Sequence, residues 1–247
     1  MVGVLAAASA ETVVPHEPAP TTATQISPDR VIPVTVTTAG GRRVLSVETA
    51  VLVPVKSFRS AKRRLTNVFG ADERARLARE MAQIVLRAAA PFPTFVACDD
   101  DEVAEWAAAH GAEVLWTPGL GLNGALQHGV DVIAGKGADH VVISHGDLPL
   151  AHSYDHLCEP GTVTLVPDHR LDGTNVQTRP ATPFVAQYGP GSFRRHLADA
   201  LLDGRRVRVV VDADLSLDVD TVDELYHPRA RAVLGDLVPS PPPPARR

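Results

Sequence analysis

The sequence predicts an α/β fold, a mostly parallel sheet with helices on both faces. Three observations carry that expectation. Short β-branched runs alternate with helix-like segments from Val51 to Leu225, the pattern of repeated strand–helix crossovers. The chain is poor in aromatics, at 4%, and relies on Ala, Val and Leu, which suits helices laid on a sheet. The run Val141-Val142-Ile143 is apolar at every position, which is comfortable only in a strand buried on both sides.

The length of 247 residues allows one large domain or two small ones. Residues 1–47, rich in Pro, Thr and Ala, are expected to be a disordered or loosely attached extension, although Val31–Val36 is β-rich. Residues 48–232 should form the folded domain, and residues 233–247 a disordered Pro-rich tail.

Within the domain, Ala50–Val55 reads as the first buried strand. The loop after it holds Lys56, Arg59, Lys62, Arg63 and Arg64, five cations in nine residues, which suits a polyphosphate or, more plainly, a solvated basic loop. No Walker-type glycine run is present, which argues against a P-loop NTPase. Ala71–Ala90 follows as an amphipathic helix, with Leu77, Met81, Ile84 and Val85 on one face and Asp72 and Glu73 in the first turn. Thr94–Cys98 is a strand, and the acidic run Asp99–Glu102 either starts the next helix, to Ala109, or binds a metal.

Glu113–Trp116 is a third strand, followed by the loop Thr117–Leu126. Its glycines bring backbone N–H groups close to a ligand, and Asn123 offers a donor and an acceptor to a base or a ribose. A helix to about Ala134 leads into the Val141–Ile143 strand. Pro149 cannot donate to a ladder, so this strand must stop by then, and that puts Asp147 at its carboxyl end. Ligands of open α/β sheets bind there. Asp147 is therefore a candidate metal or substrate ligand, or else the cap of a turn.

A short helix near Ser153–Leu157 and the strand Thr162–Val166 come next. The polar loop Pro167–Asn175 either turns the chain or binds anionic oxygens through Thr174 and Asn175. Phe184–Tyr188 reads as a strand, with Ser192 as N-cap of the helix Phe193–Leu202 and Gly189 and Gly191 beside it, a ready anion site. Arg206–Val211 is the last strand. Asp218 and Asp220 share a side if their segment is extended, and either is a candidate second metal ligand or a helix cap.

Charge and cysteine content bound the function. A net charge of −5 argues against general nucleic-acid binding, and no apolar run approaches the ~20 residues of a membrane span. Cys98 and Cys158 form no disulfide framework or metal motif, which fits a reducing, cytoplasmic setting. No nucleic-acid or membrane partner is expected, and a homodimer is compatible with the sequence.

The set Val53-Pro54-Val55-Lys56, Ala61-Lys62-Arg63-Arg64-Leu65, Gly121–Leu126, Gly146-Asp147-Leu148-Pro149, Asp172-Gly173-Thr174-Asn175, Phe184 to His196 and Leu217–Thr221 resembles the 2-phospholactate/phosphoenolpyruvate guanylyltransferase family of coenzyme F-420 biosynthesis. The resemblance covers roughly Val51–Leu225 in order. It implies a Rossmann-like, GT-A-like nucleotidyltransferase fold, with GTP and Mg²⁺ as reactants and a small phosphorylated three-carbon acid as acceptor. It also implies roles. Lys56, Lys62 and Arg64 would neutralise the triphosphate, and Leu122, Asn123 and Gly124 would hold the guanosine. Thr174, Gly189 and Ser192 would take the acceptor. Asp147 and Asp220, with Asp218 nearby, would hold the metal, and Lys56, Lys62 and Asp147 would be the catalytic set. His145, just before Gly146-Asp147, departs from the family pattern. The alternatives are another nucleotidyltransferase of the same fold, with a molybdopterin or sugar-phosphate acceptor, or a non-catalytic nucleotide-binding regulator.

Overall fold

A computed structural model describes residues 34–38 and 48–240. The expected extension therefore lies outside the described residues except for one strand, as do residues 241–247 of the tail. The strands are β1 (Val34–Thr38), β2 (Thr49–Pro54), β3 (Thr94–Cys98), β4 (Glu113–Trp116), β5 (His140–Ser144), β6 (Thr162–Pro167), β7 (Thr174–Pro180) and β8 (Arg206–Val211). They form one sheet in the order β1-β8-β6-β7-β5-β2-β3-β4. All neighbours are parallel except the two pairs made by β7.

The central strands β2, β5 and β6 are buried on both faces. Along β2, Val51 and Val53 face a core shared with helices α1 (Ala71–Ala89), α2 (Asp101–Ala109) and the helix Pro228–Leu234, while Ala50 and Leu52 face a core shared with α3 (Gly121–Gly135). This period-2 split of an all-apolar run is what a doubly covered strand requires. Helix α4 (Ser192–Leu202) covers β6 and β8 on the α3 side of the chain's fold through Ala200, Leu197 and Phe193. Gly129 lets α3 sit tightly on β2, since a Cβ there would lie 2.7 Å from Leu52. The packed domain runs past the expected boundary at residue 232, because Leu234 and Val238 are both buried in the core.

Two strand readings need correction. Thr174–Pro180, read as loop and unassigned chain, is a fully inserted strand, and Phe184–Tyr188, read as a strand, lies outside the sheet. β7 escapes a sequence reading because all its buried positions except Val176 are polar. Gln177 accepts from the Tyr188 hydroxyl, Thr178 donates to the Leu157 carbonyl, and the buried Arg179 guanidinium lies over the Phe184 ring, its Nε without a hydrogen bond among the described residues. The Phe184–Tyr188 backbone is satisfied by side chains instead of a ladder. The N–H of Ala186 donates to Gln127, that of Gln187 to His196, and that of Tyr188 to Asn123.

The chain begins the domain at β2, moves outward to β3 and β4, then returns to the other side of β2 as β5. That reversal opens a crevice at the carboxyl ends of β2 and β5. β7 runs antiparallel to β5, so the start of β7 reaches the same edge as the end of β5.

Candidate active site

The crevice holds a cavity of about 370 Å³ whose polar lining includes Lys56, Ser60, Lys62, His145, Asp147 and Asp220. A smaller cavity of about 60 Å³ adjoins it through Lys56 and Leu122 and runs toward Cys98, Asp99 and Thr117 at the ends of β3 and β4. The acidic run beside it mainly starts α2, where the Asp100 side chain accepts the Val103 N–H.

The Lys62 ammonium sits between the two acidic segments. It donates to Asp147 Oδ2 at 2.7 Å and to Asp220 Oδ1 at 3.0 Å, and its side chain is only 6% exposed. Burial works to lower its pKa, but the two carboxylates more than offset that and hold it above the ordinary lysine value. Burial likewise works against the Asp147 carboxylate, and the Lys62 charge reverses it, so Asp147 stays ionised below its usual range. Lys62 itself takes a left-handed backbone conformation, φ 53°, which costs a residue with a Cβ about 1–2 kcal/mol and persists only where the surroundings impose it. Arg64 stands outside this pair, exposed, 3.6 Å from the second oxygen of Asp220.

Backbone contacts bring the distant carboxylates together. The Val219 N–H donates to the Asp147 carbonyl at 3.2 Å. Asn175, at the start of β7, donates to the Leu215 carbonyl and to Asp218, and its own carbonyl accepts the His145 N–H. Glu224 fixes Asp220 from below, accepting the N–H groups of Asp220 and Thr221 while Arg170 neutralises it. Among the described residues no three His, Cys, Asp or Glu side chains form a metal cluster by themselves. A magnesium ion does not need one, because it commonly takes one or two carboxylates and fills its shell with phosphate oxygens and water. Asp147 Oδ1 is buried without a hydrogen-bond partner, and the Asp218 carboxyl is pushed up to about 6 by burial and by the neighbouring Asp147 charge. The unpartnered Asp147 oxygen, with the Asp220 carboxylate across the shared ammonium, suits a divalent cation. Asp218 stands behind them, held by Asn175 at 3.3 Å.

Thr174, Gly189 and Ser192 also come together. Ser192 is the first residue of α4, not its cap; Gly191, at φ 73°, takes the cap position. The Ser192 N–H donates to the Gly189 carbonyl, and Ser192 Oγ accepts the Thr174 N–H at 3.0 Å. His196 receives the Gln187 N–H on Nε2, which puts the ring proton on Nδ1, 3.0 Å from Thr174 Oγ1. Burial and the Arg179 charge lower the His196 pKa to about 4, consistent with this neutral tautomer. Each hydroxyl thus accepts internally and keeps its own O–H to donate. Both residues are buried and neither lines the cavity.

The guanosine-holding residues divide. Leu122 lines both cavities. Asn123 and Gly124 lie in the first turn of α3 and line neither. The Asn123 amide is spent on Tyr188, accepting its N–H at 2.8 Å and donating to its carbonyl at 3.3 Å. Tyr188, His196 and Glu224 escaped the sequence reading as parts of the site, and Asn175, read there as a binder of anionic oxygens, instead spends its amide on Leu215 and Asp218. Only Glu224 left a local signal, as the last residue of the capping box Thr221–Glu224.

The family described as "Guanylyl transferase CofC like" matches residues 49–227. A phosphoenolpyruvate guanylyltransferase of Sphaerobacter thermophilus is 35% identical over 198 residues, 76% of this chain and 95% of that protein. A 2-phospho-L-lactate guanylyltransferase of Methanothermobacter thermautotrophicus is 31% identical over 72% of this chain and 83% of that one. Among solved structures, 4-diphosphocytidyl-2C-methyl-D-erythritol synthase superposes with a TM-score of 0.51 at 15% identity, covering 77% of this chain and all of that one. A Methanothermobacter nucleotidyl transferase gives 0.50 at 15% identity, over 72% and 94% of the two chains. These likenesses establish the GT-A-like nucleotidyltransferase fold.

Proposed function

Because the chain belongs to the CofC-like guanylyl transferase family, we propose that it moves GMP from GTP to phosphoenolpyruvate and releases pyrophosphate. The observation that carries this reading is the meeting of Asp147 and Asp220, from segments far apart in the chain, around a buried ammonium in the cavity beside the basic loop. 2-Phospho-L-lactate is the second acceptor to consider, since a relative of nearly equal identity carries that name.

An acceptor phosphate is already a nucleophile at neutral pH, so the protein needs no strong general base. One of its oxygens attacks the α-phosphorus of GTP, a new P–O bond forms, and the bond to the β-phosphate oxygen breaks. Catalysis is then orientation and neutralisation of charge. Lys56, Lys62 and Arg64 neutralise the triphosphate. Leu122 and the α3 N-terminus flank the nucleoside in the smaller cavity. Thr174, Gly189 and Ser192 take the acceptor through their remaining donors. Asp147 and Asp220, with Asp218 behind them, would hold Mg²⁺, which would supply Lewis-acid charge to the reacting phosphates. The reaction fits a cytoplasmic enzyme of coenzyme F-420 biosynthesis.

The test is incubation with GTP and Mg²⁺ and, in parallel, phosphoenolpyruvate, 2-phospholactate or 3-phosphoglycerate, with pyrophosphate assayed. Release that depends on one of the first two acids is expected. No release with either would refute the proposal.

A further inference from the structure

The crevice contains one polar group that neither the metal corner nor the acceptor cluster uses. His145 follows β5 directly and lines the main cavity, two residues before Asp147. Its Nε2 is buried and has no hydrogen-bond partner among the described residues. A buried polar nitrogen left bare is costly, so such an atom calls for a ligand. The side chain is not loosely placed. Its backbone N–H is tied to the Asn175 carbonyl, and its ring lies 5.4 Å from that of Tyr188. Tyr188 in turn packs 4.6 Å from His196, which bonds Thr174. The imidazole therefore stands on a continuous wall between the Asp147–Asp220 pair and the Thr174–Ser192 cluster.

We propose that His145 is an acceptor-binding residue, whose Nε2 hydrogen-bonds an anionic oxygen of the phosphorylated acid. The inference rests on the transferase reading above. Its position selects among the ligands at hand. The nucleoside side of the crevice lies over β2 and β3, where the smaller cavity runs, whereas His145 sits at the boundary of β5 and β7. A magnesium ion is a poor partner for imidazole, since it takes oxygen ligands. His145, Asp147 and Asp220 line the same cavity, so an acid whose phosphate is directed at the two carboxylates is held beside His145.

Steady-state kinetics of wild-type protein, His145→Leu and His145→Gln, varying GTP and the acid separately, test this. For His145→Leu we expect the acceptor KM to rise roughly ten- to hundredfold, the size of a lost hydrogen bond to a charged group, with the GTP KM within about twofold of wild type. His145→Gln, which keeps a donor, should recover most of the loss, and thermal melts of all three confirm that each is folded. An unchanged acceptor KM in the folded Leu variant, or a parallel rise of both KM values that Gln fails to correct, overturns the assignment. Wild-type protein that releases no pyrophosphate with any of the acids sinks the transferase reading and this inference with it.

Discussion

Replacing Lys62 with Met tests the clamp most directly. The substitution keeps the unbranched stem, one atom shorter, but leaves Asp147 and Asp220 facing each other without their shared cation. Breaking a fully buried ion pair by removing one partner costs about 3–5 kcal/mol. Here the Asp147 side chain is 24% exposed and that of Asp220 44%, so water screens the second partner well. About 3 kcal/mol is the resulting expectation, most of it from Asp147. In a domain of this size each kcal/mol moves Tm by about 2–4 °C, so the variant should melt ~6–12 °C below wild type in EDTA. Millimolar Mg²⁺ supplies the missing charge and should raise the variant's Tm more than that of wild type, while turnover stays down by roughly a hundredfold or more for want of the lysine. Scanning calorimetry with EDTA and with Mg²⁺, beside a pyrophosphate assay, reads both effects. A variant with wild-type Tm in EDTA and no differential response to Mg²⁺ would show that the ammonium does not hold the two carboxylates together.

Asp147→Ala should lose turnover by about a hundredfold or more while remaining folded, and near-wild-type pyrophosphate release would remove Asp147 from the metal site. Asn123→Ala deletes two hydrogen bonds to the Tyr188 backbone and should lower stability by ~1–3 kcal/mol, raising the acceptor KM more than the GTP KM; the reverse order would put Asn123 on the nucleoside. His140 is buried, and burial with the Arg179 charge lowers its pKa to about 4. The unfolded chain takes up that proton near pH 6.5, so the stability this group contributes is complete above 6.5 and is lost as pH falls toward 4, up to ~3 kcal/mol. His140→Leu should flatten that limb of the denaturation profile, and an unchanged slope would show that His140 is not the group responsible.

The parts of this fold that were legible in the sequence are those whose side chains report burial directly. Val51–Val53 and Val141–Ile143 are apolar on both sides, and Pro149 marks where the second must end, so both the sheet and the edge bearing Asp147 follow from local pattern. β7 was not legible because its burial is solved by pairing polar groups across the chain, and no local periodicity encodes that. Phe184–Tyr188 misled for the converse reason. It has strand-like residues, but helix α3 and His196 occupy its backbone groups through Gln127, Asn123 and the imidazole. The same long-range dependence hid the Asp147–Lys62–Asp220 contact. The residue types and the basic loop pointed to the chemistry, but the hydrogen bond from Val219 to Asp147 that brings the carboxylates together exists only in the folded chain.

The antiparallel insertion of β7 has a functional consequence. A parallel strand offers the crevice only the residues at its carboxyl end, and those of β2 and β5 already supply the cation and the carboxylate. A strand running the other way brings its beginning to that edge, together with the turn before it. In this chain the turn is rigid: the Asp168 carboxylate accepts the N–H groups of Arg170, Asp172 and Gly173. Asp172 then accepts the Gly191 N–H with its carboxylate and the Phe193 N–H with its carbonyl, fastening the turn to the start of α4. Thr174 and Ser192 meet because these two segments are joined, and Asn175 meets Asp218 because β7 begins beside the end of β5. The reversed strand thus links the hydroxyls proposed for the acceptor and the carboxylates proposed for the metal through one residue step, Thr174 to Asn175. It provides a route by which a change in the turn alters both subsites at once.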